Sequence, residues 1–133
     1  LVELGYDPAR FYEAVRGLEG EPEGGRRCDV CVTLRLETVA QWAEAEGLEV
    51  LATTLSVGPQ KRVQQIHAAG REAAQRRGLN WLEDTFRKAG GFPRSVELSQ
   101  RLGLYRQGYC GCEFGRGRGG KGNVPTDALP AGG

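Results

Sequence analysis

The sequence predicts an α/β fold: a parallel sheet with flanking helices, short of strands on its N-terminal side. Three observations carry this reading. Apolar residues recur at helical spacing in separate stretches, short apolar and β-branched runs fall between them, and the two kinds alternate along the chain. The strands are too few and too short to make a doubly wound sheet alone, so missing N-terminal elements are expected.

The elements follow in order. Leu1–Leu4 reads as a short strand. Asp7-Pro8 then supplies an N-cap and a proline at the first helical position, with Phe11, Ala14, Val15 and Leu18 at helical spacing. The Gly-, Glu- and Pro-rich stretch 19–27 reads as a loop. A second helix is expected from Asp29 to Glu46, ended by Gly47. Leu48–Leu55 reads as a buried strand, Gln60–Arg77 as a third helix stopping at Gly78, and Leu79–Leu82 as a short strand. Gly90-Gly91 marks a turn, and Arg94–Leu102 a last helix ended by Gly103. Residues 115–133 are rich in Gly, Arg and Pro and poor in bulky apolar side chains, so a disordered tail is expected after a folded unit of residues 1–114.

The chain has 133 residues, 39% hydrophobic and 26% charged, with a net charge of +1, which fits one ordinary globular domain. No stretch approaches the roughly 20 apolar residues of a membrane span, and no signal peptide opens the chain; a cytoplasmic location is the expectation. The sequence contains no Met and opens inside an apolar run, which points to a piece of a longer protein. The charge is uneven: residues 115–133 carry a net +2 and the remainder a net −1. A broad basic footprint for nucleic acid is absent from the part expected to fold, so overall charge does not argue for an RNA substrate.

The chemistry lies in the four cysteines, which form two tight pairs, Cys28-Asp29-Val30-Cys31 and Cys110-Gly111-Cys112. Intracellular α/β proteins seldom keep structural disulfides, so such pairs point to metal binding or redox work rather than to small buried hydrophobes. Cys28 and Cys31 fall where a loop becomes a helix. At that spacing both sulfurs can point one way, and Arg26, Arg27, Arg35 and the helix dipole favour thiolates there. Zinc and iron would both accept such a pair. Cys110 and Cys112, one glycine apart, can close only a small and strained disulfide ring, the readily reduced kind. They read as a redox couple, with further metal ligation as the competing reading.

These residues carry a family resemblance. Arg27-Cys28-Asp29-Val30-Cys31 with Leu34-Arg35-Leu36-Glu37, then Thr53-Thr54-Leu55-Ser56, then Arg94-Ser95-Val96-Glu97-Leu98-Ser99, and finally Tyr105 to Cys112 resemble four ordered motifs of the QueH-type epoxyqueuosine reductases. The likeness runs from Tyr6 to Cys112. It implies a Rossmann-like fold whose first strands lie ahead of this chain. It implies that Cys28 and Cys31 are two of the four ligands of a [4Fe–4S] cluster, the other two being adjacent cysteines near the family's N-terminus. It further implies that Cys110 and Cys112 form a redox-active disulfide. The implied reaction converts epoxyqueuosine to queuosine in the tRNA anticodon, with tRNA and an unidentified electron donor as partners. Val32, where the family has an aromatic, and Gly58, where a serine is expected, are departures.

Other residues invite plainer readings. His67 is expected to be a packed histidine, Gly70 a point of close packing, and Trp42 and Trp81 core residues. Lys61, Arg62, Arg71, Arg76 and Arg77 make the third helix basic, most simply as a solvated face. Tyr105, Tyr109 and Asp84 are candidate proton donors. Tyr105, Arg106 and Tyr109 are also suited to stack on a base and hold a phosphate, with the two tyrosines expected to anchor the Cys110–Cys112 segment. The rival readings are a small zinc module closed by CxxC and CxC, and a metal-free thiol–disulfide protein.

Overall fold

A computed structural model describes residues 1–57, 62–84, 86–106 and 110–115. The elements are α1 (Pro8–Ala14), α2 (Arg26–Ala45), β1 (Val50–Leu51), α3 (Val63–Arg76), β2 (Asn80–Trp81) and α4 (Gly91–Arg101). Short 3-10 turns lie at Leu55–Val57, Lys88–Gly90 and Glu113–Gly115. This is a largely helical chain with a small two-stranded parallel sheet, compatible with the α/β class.

β1 and β2 pair in parallel, Val50 opposite Asn80 and Leu51 opposite Trp81. The ladder continues into its flanks, where Asn80 N–H donates to Glu49 O and Leu82 N–H to Leu51 O, both at 2.8 Å. Helices α2 and α3 pack together over one face of this ribbon. Their contact is made largely of small side chains, Ala40 and Ala43 against Ala73 and Ala74, with Leu36 and Leu51 completing the buried cluster. Alanines permit close helix approach, and the polar outer faces are laced by Arg76–Glu37 at 2.7 Å and Arg77–Glu44 at 2.8 Å. The other face of the ribbon is open: Val50 is 54% exposed, and Leu48 and Leu82 are exposed beside it.

Several expectations change. Leu1–Leu4 forms no strand; residues 1–7 have no regular structure and are exposed. A strand is stabilised by its ladder, and these residues have no ladder partner among the described residues. The run Leu48–Leu55 shortens to Val50–Leu51 because β2 pairs over only two residues. Beyond it Thr53 Oγ1 accepts from Leu55 N–H at 3.2 Å and turns the chain into the 3-10 segment. Both α2 and α4 begin three residues before the expected start, at glycine N-caps Gly25 and Gly90. α1 is capped as expected, Asp7 Oδ1 accepting from Arg10 N–H at 3.3 Å. Gly58, Lys61, Tyr109 and the expected tail from 116 onward lie outside the described residues.

Gly70 and His67 behave as the sequence implies. His67, 4% exposed, accepts at Nδ1 from the Trp81 indole N–H at 3.1 Å, which locks β2 onto α3. A Cβ on Gly70 would meet three atoms of the Trp81 ring at 2.3–2.5 Å. Gly70→Ala is therefore expected to cost about 1–3 kcal/mol through overpacking. Urea denaturation should show a lower midpoint with an unchanged slope.

Candidate metal and redox site

The site begins at the loop entering α2. Gly24 takes φ +83° and turns the chain so that its N–H donates to Cys28 Sγ at 3.2 Å. An N–H directed at sulfur stabilises negative charge on it, whether the sulfur is a thiolate or a metal ligand. Cys31 lies one turn further along α2. Both sulfur-bearing residues line one cavity of about 230 Å³ between α2 and α3, as the CxxC spacing at a helix start implies.

Cys110 and Cys112 line the same cavity. Nearly eighty residues separate the two pairs in sequence, and the segment that brings them together is fixed from a direction the sequence did not suggest. Phe114 packs against Phe11 and Tyr12 of α1, with ring centroids 6.4 and 6.1 Å apart, and the Arg27 guanidinium lies 5.7 Å over its ring. Beside it the Tyr12 hydroxyl donates to Glu113 Oε2 at 2.6 Å, which raises the tyrosine pKa. Of the two expected anchors, Tyr105 is 70% exposed and does not serve, and Tyr109 lies outside the described residues. An aromatic two residues after the CxC pair, with the adjacent Phe11-Tyr12 on α1, was the signal available.

The acid–base setting of Cys31 also differs from expectation. Burial pushes its thiol up; Arg35 opposes this, and the neighbouring Cys110, Cys112 and Cys28 add to the rise. Desolvation outweighs the nearby cation, so this thiol holds its proton until something electrophilic displaces it. Arg27 does not face solvent beside the sulfurs. It is 2% exposed, and its Nη1 donates to the carbonyls of Leu18, Glu19 and Glu21, gathering the loop before α2.

Of the proposed proton donors, Asp84 and Tyr105 are exposed and neither lines the cavity. The carboxylates that do line it are Glu23, Asp29 and Glu72. Asp29 was legible, since it stands between the two cysteines; Glu72 reaches the cavity only because α3 packs on α2. Arg62 lines the wall and donates to Gly24 O at 3.0 Å, tying α3 to the loop that holds Cys28. The remaining arginines of α3 are taken up by carboxylates, as a solvated helix face requires; Arg71 pairs with Glu83 at 2.5 Å.

No disulfide joins the four cysteines. Among the described residues no three His, Cys, Asp or Glu side chains converge as a metal site. The donor set does suit a soft metal: thiols held in a partly apolar cavity, one receiving a backbone N–H. What the chain presents is a thiol pair on a helix and a second thiol pair lining the same cavity.

That arrangement suits thiol-based redox or metal chemistry on a fold compatible with the α/β class. Residues 1–118 match the family model described as epoxyqueuosine reductase QueH, and the chain belongs to that family. It is 40% identical over 113 residues to the epoxyqueuosine reductase QueH of Streptococcus pyogenes serotype M1, covering 85% of this chain and 44% of the relative. Against that of Thermotoga maritima it is 38% identical over 105 residues, covering 79% and 55%. Against that of Staphylococcus epidermidis it is 35% identical over 115 residues, covering 85% and 48%. The chain spans about half the length of these curated relatives.

Proposed function

We propose that this chain is the cysteine-bearing C-terminal part, residues 1–114, of an iron–sulfur epoxyqueuosine reductase. The enzyme would convert epoxyqueuosine to queuosine in the tRNA anticodon, the last step of queuosine biosynthesis, in the cytoplasm. The observation that carries this is the convergence of Cys28, Cys31, Cys110 and Cys112 on one cavity, in a chain of this family. Cys28 and Cys31 would hold a [4Fe–4S] cluster together with two adjacent cysteines from the part of the relatives that this chain does not span. Held by Cys28 and Cys31, such a cluster would supply electrons and Lewis acidity. The open face of the β1–β2 ribbon suits further strands of a Rossmann-like sheet.

The chain's own residues would then divide the work. Gly24 N–H and the α2 N-terminus offset negative charge at Cys28, and Arg35 does so beside Cys31. Conversion of the epoxide to an alkene and water takes up two electrons and two protons. A Cys110/Cys112 dithiol releases that number as it closes to a disulfide, so the step balances, and an external donor must reopen the disulfide.

The full-length protein, purified without oxygen, is expected to be brown and to hold roughly four irons per chain. Cys28→Ala and Cys31→Ala should each lower that content sharply. A colourless preparation with stoichiometric zinc would overturn the reading in favour of a zinc module.

A further inference from the structure

We infer that residues 86–106, the turn before α4, α4 itself and the segment after it, form a docking surface for the sugar-phosphate backbone of RNA. The inference rests on the proposed tRNA substrate and assigns it a place on the molecule.

The first argument is charge. This stretch holds Arg87, Lys88, Arg94, Arg101 and Arg106 against Glu97 alone, a net +4 in a chain whose total is +1. The remainder is therefore acidic on balance, at −3. A polyanion is attracted to such a concentration and repelled by most of the rest of the chain. The cavity gives no comparable net pull, because Glu23, Asp29 and Glu72 on its lining equal Arg27, Arg35 and Arg62 in number. Nor does α3, whose Arg71, Arg76 and Arg77 are each held by a carboxylate.

The second argument is placement. No residue of α4 is buried, and among the described elements it packs substantially only on the turn Lys88–Gly90. Arg94 and Arg101 of α4 and the flanking Lys88 and Arg106 are exposed; Arg94 is paired with Glu97 at 2.8 Å, which leaves Lys88, Arg101 and Arg106 to carry the surface. Arg106 is also preset. Its Nη1 reaches Ser95 O at 3.2 Å, Ser95 Oγ at 3.3 Å and Ser99 Oγ at 3.0 Å, with the guanidinium 5.8 Å over the Phe92 ring. A guanidinium oriented in advance loses less entropy on meeting a phosphate. Tyr105, 70% exposed, stands next to it with a ring suited to base stacking.

The third argument is reach. Three residues of chain separate Arg106 from Cys110, four Cα-to-Cα steps, so their Cα atoms lie within about 14 Å of each other. RNA held on this face would therefore have nucleotides close to the thiol cavity, which a docking site serving that chemistry requires.

The test uses the full-length protein and a fluorescein-labelled anticodon stem-loop RNA, with affinity read by anisotropy over a range of salt. Lys88→Ser combined with Arg101→Ser should weaken binding roughly tenfold at moderate salt and flatten the salt slope by about 1.5, the loss of two phosphate contacts. Arg101→Glu should weaken it further, whereas Arg76→Ser on α3 should leave both affinity and slope unchanged. Iron content and helical circular dichroism should match wild type in all of them. Unchanged affinity and slope in the Lys88/Arg101 variant would overturn this assignment alone, leaving the chemistry of the cavity standing. A wild-type protein that does not bind the RNA would overturn both the surface and the proposed substrate.

Discussion

Cys110→Ser, introduced into the full-length protein, is expected to leave iron content at the wild-type level and to slow epoxide removal roughly a hundredfold or more, upwards of about 2.7 kcal/mol of barrier. The substitution changes little in shape. Phe114 in its aromatic nest and the Tyr12–Glu113 hydrogen bond keep the segment docked, so residue 110 should stay on the cavity wall. What serine removes is the capacity to form a disulfide, and with it the two electrons and two protons that a dithiol delivers together. Cys112→Ser should behave alike, because a couple fails when either partner is lost. Iron and turnover, measured on the same preparation, separate the roles. Loss of iron with Cys110→Ser would make this residue a ligand, and wild-type turnover would end the redox-pair reading.

The cysteine pairs were legible because their chemistry depends on spacing, which a sequence displays directly. Their convergence was legible only as a requirement of function; its physical agent, Phe114 against Phe11 and Tyr12, was not. Contacts joining residues some hundred positions apart leave no periodic trace. The same limit explains Cys31. Arg35 is visible one turn away in the sequence, but the burial that outweighs it comes from α3 and from the returning Cys110–Cys112 segment.

The helices were read nearly to their ends where a side chain or a terminating glycine marks the boundary, as at Asp7 and Gly47. α2 and α4 start early because glycine backbone, not a capping side chain, begins them. The strands were the weakest reading. How far Leu48–Leu55 remains extended depends on what pairs with it, and here only two residues of β2 do.

Arg27→Met is expected to destabilise the protein by about 3 kcal/mol, the scale for losing buried hydrogen bonds made by a charged group. Arg27 is 2% exposed and has no carboxylate among its hydrogen-bond acceptors in the described residues; the carbonyls of Leu18, Glu19 and Glu21 take that part. Methionine fills much of the same space, so the penalty comes from three carbonyls losing their shared donor and from the lost contact with Phe114. One term runs the other way. The Arg27 Nε is buried without a hydrogen-bond partner among the described residues, and relieving it offsets part of the cost. Arg27→Lys should fall between wild type and Arg27→Met, since an ammonium keeps the charge but not the planar group over the ring. Two measurements check this. Urea denaturation should show the order wild type, Lys, Met, and iodoacetamide should label Cys110 and Cys112 of folded Arg27→Met faster than in wild type, because Phe114 has lost one wall of its nest. Equal midpoints and equal labelling rates would mean that Arg27 does not hold the loop before α2 and the Cys110–Cys112 segment in place.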